Sequence, residues 1–481
     1  MAAVSGVASS AAEPGRQWSA WPCVTTARAT GRTGSTWKSP AGQYMPSGVA
    51  TRSGERSMAS VLGGGGPGVE RPRRAVAAVL IGAALIAGCT TRAPIRTPPT
   101  PETYAAVFVP GAPDARFWGD DTLPPDALAA AEQRLRGHLT RRWRADGRPA
   151  EGVDFAILAL SGGGPDGAFS AGLLNGWTER GDRPEFDIVT GISVGALIAP
   201  FAFVGPSGDD ALRTIFTELD GTSVAELAIF NALMGALGIA DTQPLRASLR
   251  QFIDEPFLAK VAEGFREGRN LLIGTTNIDA GRPVIWNMGA IAEAGLIDLF
   301  REVMIASASI PGAFPPVAID VTDGTNVYTE FHVDGGVTHS VILGPSGVDS
   351  AVPRDLPFPV NQTIYVIQNN ALATPFEPVP SRLMAIATRS LSTLIRGQTN
   401  GDLTAIYLVA QALGADFRLA FVPPGFYASA TGFDPAYMRA LFERAREDAL
   451  DGVPWLEQPP GMLGRQALVQ AAAGFGSPVP D

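Results

Sequence analysis

The chain of 481 residues is 46% hydrophobic and 17% charged, with 55 glycines and 40 prolines. This apolar fraction excludes a disordered chain, and the length allows one large domain or two of ordinary size. The net charge is −10, and the sequence has no basic stripe that could neutralise nucleic-acid phosphates. Its two cysteines, Cys23 and Cys89, exclude a disulfide framework. With three histidines and no carboxylate cluster at metal-ligand spacing, we expect no metal or other cofactor.

Residues 1–88 are not expected to belong to the fold. Residues 1–57 have no hydrophobic period, and we interpret them as an over-extended reading frame with the true start near Met58. A basic cluster at residues 71–74 then precedes an uncharged apolar run at 75–87. That run is too short to span a bilayer. The order of these regions predicts a secretory signal peptide over residues 58–88.

Residues 85–89, Leu-Ile-Ala-Gly-Cys, resemble a bacterial lipobox. The resemblance implies cleavage before Cys89 and a diacylglycerol thioether on its sulfur, which makes the protein a membrane-anchored lipoprotein of the cell envelope. Because Thr90 and not Asp follows the cysteine, the sorting rule favours the outer membrane, if the organism has one. An ordinary signal peptide that releases a soluble secreted protein is the alternative. Residues 89–123 are interpreted as a tether between anchor and domain.

The body of the chain begins with a helix and then alternates between strands and helices. Residues 124–150 carry apolar side chains at helical spacing, and His138 is expected at the surface of that helix. A continuous apolar run at 155–160 stops at a glycine cluster, as a strand buried on both faces of a parallel sheet does. Helices are predicted at 168–177, 196–204 and 434–449, and further strands at 186–190, 271–277, 284–286, 330–334, 364–368 and 417–421.

This alternation indicates an α/β fold in which helices cover a mainly parallel sheet. We take residues 151–345 as the core of a catalytic domain and residues 346–481 as the C-terminal part of the same domain. The apolar segment 224–239 is either a mobile lid or a buried helix, and burial is the commoner meaning of a helix that is apolar on most faces.

The pentapeptide at 191–195, Gly-Ile-Ser-Val-Gly, lies between a predicted strand and a predicted helix. In that context a Gly-x-Ser-x-Gly motif is a nucleophile elbow. Gly191 and Gly195 remove Cβ atoms where the chain turns sharply, and Ser193 then projects at a helix N-terminus. The alternative is a tight strand–helix turn with an idle serine.

A glycine-rich turn follows the preceding predicted strand, at residues 161–167. The backbone N–H groups of Gly162, Gly163 and Gly164 could hold an oxyanion. The same residues also satisfy the G-x-G-x-x-G pattern of dinucleotide sites. However, the next strand ends in the serine elbow, where a ribose-binding carboxylate would be expected. An oxyanion hole is therefore the better interpretation.

A serine nucleophile requires a base, and Asp334 is a candidate. It ends a predicted strand and enters the turn Asp-Gly-Gly, and groups at the carboxyl ends of strands form the sites of α/β folds. An aspartate can act alone if it hydrogen-bonds the serine directly, although Asp-Gly-Gly is most often only a turn. His332 lies two residues earlier on the same strand face, where a structural role is the commoner one.

These blocks, in this order and approximate spacing, resemble the patatin-like phospholipase family. Residues 306–317 also resemble the family's block ahead of the aspartate. The resemblance implies a three-layer α/β/α fold and hydrolysis of acyl esters, often of phospholipids, by a Ser–Asp dyad without histidine. The resemblance also implies that Ser193 is the nucleophile and that Asp334 is the base that deprotonates first the serine and then water. The N–H groups of residues 162–164 would stabilise the oxyanion.

The chain departs from the family at Asp166, where many members have Arg or Lys. We expect its carboxylate to point outward, away from the developing oxyanion. The most favoured function is a lipid or acyl-ester hydrolase anchored to a membrane through Cys89, with no nucleic-acid partner. The alternative is a non-catalytic lipid-binding or envelope scaffold protein that retains the fold.

Overall fold

The computed structural model describes residues 96–218, 242–311, 314–344, 352–353, 355–371, 376, 378–423, 425–426 and 434–463. The predicted signal peptide, Cys89 and the apolar segment 224–239 lie outside these residues. Within the described ranges, no helix has both the length and the apolar character needed to cross a membrane.

Nine strands form one sheet in the described part of the chain. They are β1 (Arg116–Trp118), β2 (Val153–Leu160), β3 (Ile188–Ile192), β4 (Asn270–Asn277), β5 (Arg282–Asn287), β6 (Val317–Thr322), β7 (Val327–Asp334), β8 (Val360–Ala371) and β9 (Asp416–Val422). The seven predicted strands are confirmed, with ends shifted by a few residues. β1 and β6 lie at antiparallel margins of the sheet and were not predicted.

Helices connect the strands, as the alternation predicted. They are α1 (Pro125–Ala145), α2 (Gly167–Arg180), α3 (Val194–Phe203), α4 (Asp209–Arg213), α5 (Gln243–Phe252), α6 (Glu255–Glu267), α7 (Met288–Glu293), α8 (Ile297–Ser307), α9 (Leu383–Leu413) and α10 (Pro435–Gly452). The Asp434 side chain caps α10 by accepting from the Ala436 N–H at 2.9 Å, so the predicted N-terminus of that helix is confirmed.

The centre of the sheet is parallel, in the order β4-β3-β2-β8-β9. Antiparallel strands complete one side: β5 pairs with β4 and β1 with β5, while β7 pairs with the end of β4 and with β6. The register of the β4–β7 pair places Asp334 opposite Thr275. The last residue of β7 therefore returns to the edge at which the parallel strands end.

Helices cover both faces of this sheet, which gives the expected three layers. β2 shows the arrangement most clearly, because it is buried on both faces. Its residues Leu158 and Leu160 pack in the core with α2, α3, α8 and α10. Phe155 and Ile157 pack on the opposite face with α1 and α9. A run of apolar residues without alternation is the pattern that such a strand requires.

The structure corrects two expectations near the start of the body. The predicted tether, 89–123, is not free from residue 96 onward: the Arg96 guanidinium binds Asp279 at 2.6 Å, and β1 pairs with β5. His138 is buried and not at the surface, with Nε2 2.8 Å from Asp187 Oδ1. It shares the buried side of α1 with Leu135 and Leu139, as residues three or four apart on a helix do.

Candidate active site

Ser193 occupies the sharp turn between β3 and α3. Its backbone has φ +55° and ψ −124°, a strained conformation for an L-residue. The Ser193 N–H donates to Ser307 Oγ at 3.0 Å, and the Ser307 hydroxyl donates to the Gly274 carbonyl at 2.7 Å. Ser307, the last residue of α8, thus ties the turn to β4 and offsets the backbone strain.

The two glycines that flank Ser193 allow α3 to pack directly against strand ends. A Cβ at Gly191 would lie 2.4 Å from the Gly195 carbonyl oxygen, and a Cβ at Gly195 would lie 2.4 Å from the Leu160 carbonyl oxygen. Neither distance is possible for a real side chain, so this turn requires glycine at both positions. The first N–H groups of α3 consequently point toward the space beside Ser193.

The glycine-rich turn after β2 faces Ser193. A Cβ on Gly162 would lie 3.1 Å from Ser193 Cβ. The Gly162 N–H donates to the Ser340 carbonyl at 3.1 Å, so in this conformation it is occupied, contrary to its expected role as an oxyanion donor. The N–H groups of Gly163 and Gly164 make no hydrogen bond with any described residue, and they are the donors that this turn still offers.

Asp334 is buried beside the elbow, with 4% of its surface exposed. Its Oδ1 accepts from the Gly336 N–H at 2.7 Å, and its own N–H donates to the Ser309 carbonyl at 2.9 Å. Burial raises the pKa of Asp334 from 3.8 to about 7, against the opposing effects of the Gly336 N–H and the Ser193 hydroxyl. Oδ2 has no hydrogen bond of regular geometry with a described residue. The Ser193–Asp334 contact is therefore loose in this state, as such contacts often are without substrate.

Residues 158–345 match the family model described as patatin-like phospholipase. Those residues include the end of β2, the glycine-rich turn, the serine elbow and Asp334. This part of the chain is similar to the patatin-like phospholipase family. The family is one of lipid acyl hydrolases. No curated protein matches the sequence.

Three solved structures are distantly similar to this chain. VipD from Legionella pneumophila has 14% identity over 63% of this chain and 67% of its own, with a TM-score of 0.30. Human GIVD cytosolic phospholipase A2 has 12% identity over 75% of this chain and 66% of its own, with a TM-score of 0.32. A chain in the complex of SpcU with ExoU from the type III secretion system of Pseudomonas aeruginosa has 12% identity over 66% of this chain and 58% of its own, with a TM-score of 0.27. The matches span about two thirds or less of those three chains.

Asp166, where the chain departs from the patatin-like pattern, is buried and not directed to solvent. Only 9% of its surface is exposed, and Oδ1 accepts from the Tyr437 hydroxyl of α10 at 2.7 Å. Burial raises the pKa of Asp166 to about 7, although the Tyr437 bond acts in the opposite direction. The carboxyl is thus held by α10 and is partly protonated near neutral pH, which reduces its repulsion of an oxyanion.

His332 has a structural role in this domain. Its Nδ1 lies 3.0 Å from Thr275 Oγ1 and its Nε2 lies 3.1 Å from Glu330 Oε2. Glu330 also accepts from Arg116 at 2.6 Å. Both ring nitrogens are therefore engaged away from Ser193, and burial lowers the pKa of His332.

Asn369, near the end of β8, positions the glycine-rich turn and was missed by sequence reasoning. Its N–H and Nδ2 bind Ser161 Oγ and the Ser161 carbonyl, each at 2.9 Å. Its Oδ1 accepts from the Ser170 hydroxyl at 2.5 Å. The neighbouring Asn370 Nδ2 donates to the Gly162 carbonyl at 2.9 Å. These amides join β8 to the turn and to α2, so they fix where the free N–H groups point.

We expect Asn369→Ala to lower kcat about 10- to 100-fold with little change in KM, because misplacing the turn costs transition-state contacts. Asn361→Ala is the matched control: Asn361 lies at the other end of β8 and is exposed, and among the described residues its side chain binds only Glu151 and Asp154. Steady-state kinetics on a soluble acyl ester would measure both variants. A kcat within twofold of the unmodified protein for Asn369→Ala would contradict the positioning role.

Proposed function

We propose that this protein is a serine acyl-ester hydrolase that uses a Ser193–Asp334 dyad and acts on lipid esters, as a phospholipase A or lysophospholipase. The observation that carries the proposal is Ser193 at a strained helix entry beside a buried carboxyl whose pKa is raised to about 7. A base with a pKa near the working pH combines the correct protonation state with a useful driving force for proton transfer. The Asp334 carboxylate can therefore act without a histidine.

The proposed reaction has two steps. Asp334 takes the Ser193 hydroxyl proton as Oγ bonds to the acyl carbonyl carbon, and the negative charge moves to the carbonyl oxygen. The N–H groups of Gly163 and Gly164 and the N-terminus of α3 stabilise that charge. Collapse expels the alcohol, which takes the proton from Asp334 and leaves an acyl group on Ser193. Water then gives a proton to Asp334 as its oxygen bonds to the acyl carbon. Collapse breaks the bond between that carbon and Ser193 Oγ, which takes the proton back from Asp334 as the acid leaves.

The pH dependence follows from the raised pKa of Asp334. Since the base must be ionised, we expect kcat/KM to rise with pH along a single-proton limb centred near 7 and to level off above it. The pKa of Asp166 is raised to about 7 as well, so Asp166→Asn is the informative control. The limb should persist in that variant; its disappearance there would assign the titration to Asp166.

A fluorophosphonate probe separates the enzyme from the alternative scaffold protein, because it reacts only with an activated serine. We expect stoichiometric labelling at Ser193, located by peptide mapping, and none in Ser193→Ala. Ser307→Ala should label slowly, since it removes the hydroxyl that holds the Ser193 N–H. A folded protein that the probe does not label would favour the scaffold function.

We also propose that Cys89 carries a lipid anchor that holds the enzyme at the cell envelope, at the outer membrane where one exists. Supporting this is the order of basic cluster, apolar run and lipobox-like string in the sequence. Cells fed a labelled lipid precursor should label the unmodified protein and not Cys89→Ala. Equal labelling of both would overturn the anchor.

A further inference from the structure

Exposed apolar side chains gather where the chain leaves β8 and begins α9. Phe376 is 93% exposed, Leu383 82%, Leu394 70%, Ile386 49% and Val379 40%. Leu383, Ile386 and Leu394 are three and eleven residues apart and therefore share one face of α9. A soluble domain exposes single apolar residues commonly, but several large ones on one face mark an interaction surface. We call these five residues the α9 entry surface.

The α9 entry surface lies at the catalytic edge of the sheet. β8 and β9 are parallel, so α9 runs from the carboxyl end of β8 back to the opposite edge. Its middle contacts the segment that follows Asp334: Ser340 Oγ donates to the Ile395 carbonyl at 3.3 Å, and the Ser340 N–H donates to Asp402 at 2.7 Å. Residues 383–394 thus extend about 18 Å beyond that level. This places them beyond the sheet edge at which the parallel strands β3 and β8 end, the edge at which Ser193 lies.

The charge of this region is opposite to that of the whole chain. Residues 376–401 hold Arg382, Arg389 and Arg396 against a single acidic residue, Glu377, whereas the chain carries a net charge of −10. Because residues seven apart lie on nearly the same face of a helix, these three arginines lie along one flank of the exposed apolar side. Burial and the neighbouring Arg389 charge both lower the pKa of Arg396. Arg382 and Arg389 form no salt bridge with any described residue.

We propose that the α9 entry surface docks onto an anionic lipid surface, with its apolar side chains among the acyl chains and its arginines at the headgroups. An apolar helix face flanked by cations is the arrangement of helices that lie in a membrane interface. A second copy of the chain fits less well: in an isologous contact this surface faces itself, and it holds three arginines against one acidic residue. The purpose of this docking rests on the proposed function, because it would bring the lipid surface close to Ser193. Binding to the lipid itself does not require catalysis.

A local fluorescent label tests the docking in the full chain. The background carries Cys23→Ala, Cys89→Ala and Ser193→Ala, so that no other thiol, lipid anchor or hydrolysis contributes. Leu383→Cys, labelled with an environment-sensitive fluorophore, probes the surface. Leu408→Cys is the matched control, since Leu408 is 55% exposed on the same helix but about 37 Å further along it. Vesicles contain either phosphatidylcholine alone or phosphatidylcholine with phosphatidylglycerol.

The label at position 383 should shift to the blue with anionic vesicles, far less with neutral ones, and the label at 408 should not shift. Arg382→Glu and Arg389→Glu should each weaken anionic-vesicle binding at least about fivefold. An absent shift at 383, or equal shifts at 383 and 408, would overturn the proposal. A shift at 383 that depends on protein concentration without vesicles would assign the surface to a second copy. Since Ser193→Ala is present throughout, none of these results depends on the proposed enzymatic activity.

Discussion

Asp334→Asn is expected to lower kcat about 10²- to 10⁴-fold and at the same time to stabilise the folded protein at pH 8. The loss follows from removing the base, and His332 cannot replace it because both of its nitrogens are engaged with Thr275 and Glu330. The amide still accepts from the Gly336 N–H through its oxygen. The variant should therefore keep its turn and lose only the proton transfer.

The gain in stability follows from the sign of the pKa shift. Because the pKa of Asp334 rises from 3.8 in the unfolded chain to about 7 in the folded protein, the folded state holds the proton more tightly. Its contribution to stability is full below pH 4 and is lost as the pH rises to 7. At pH 8 the buried carboxylate costs up to about 4 kcal/mol, which the amide does not.

Urea unfolding at pH 4 and pH 8, together with kcat on a soluble ester, would measure both effects of Asp334→Asn. Asp166→Asn is a useful comparison because the pKa of Asp166 is raised to the same value by burial. It should gain stability at pH 8 but retain activity. If Asp334→Asn kept more than a tenth of the activity, Asp334 would not be the base.

Gly163→Ala is expected to destroy activity and to destabilise the domain by about 3 kcal/mol. A Cβ at this position would lie 1.8 Å from the Asn369 carbonyl oxygen and 2.5 Å from Asn369 Cβ. Both the turn and the end of β8 are backbone held by hydrogen bonds, so neither can move without breaking the bonds between Asn369 and Ser161.

Gly164→Asn provides the control for Gly163→Ala in the same turn. Gly164 has φ +59° and nothing within 4 Å of a built Cβ, and asparagine tolerates this left-handed conformation better than other side chains. We expect a loss below about 1 kcal/mol in urea unfolding. Equal stability of Gly163→Ala and the unmodified protein would contradict the close approach of turn and strand.

The sequence predicted the parts of this fold that depend on local pattern. Strand β2 was predictable because burial on both faces requires an uninterrupted apolar run. The turn at Ser193 was predictable because Gly191 and Gly195 occupy positions with no room for a Cβ atom. β1 was missed because three residues are too few to show a pattern, and β6 because its buried and exposed residues alternate and form no uninterrupted apolar run. The prediction that His138 lies at the surface was wrong because a histidine is rarely buried without a polar partner. Its partner, Asp187, lies elsewhere in the sequence and meets it only in the folded protein.

The contacts that support the site could not be predicted from local pattern. Ser307 reaches the Ser193 N–H across 114 positions, and Asn369 reaches Ser161 across 208. Only the assembled sheet brings such residues together. The same limit applies to Gly162, whose N–H was expected to face the substrate but is taken by the Ser340 carbonyl. The sequence therefore identified the candidate reacting residues, Ser193 and Asp334. The residues that hold the site in place, Ser307 and Asn369, were recognisable only from the tertiary structure.

Ester hydrolysis by the purified full chain tests the central proposal most directly. The unmodified protein, Ser193→Ala and Asp334→Asn would be assayed on p-nitrophenyl esters of several chain lengths and then on mixed phospholipids. We predict that the unmodified protein hydrolyses these esters and that both variants lose at least about 10²-fold in rate. The dependence of the rate on chain length should identify the acyl length that the enzyme prefers. Folded protein that hydrolyses none of these esters, or variants that match the unmodified rate, would contradict the dyad.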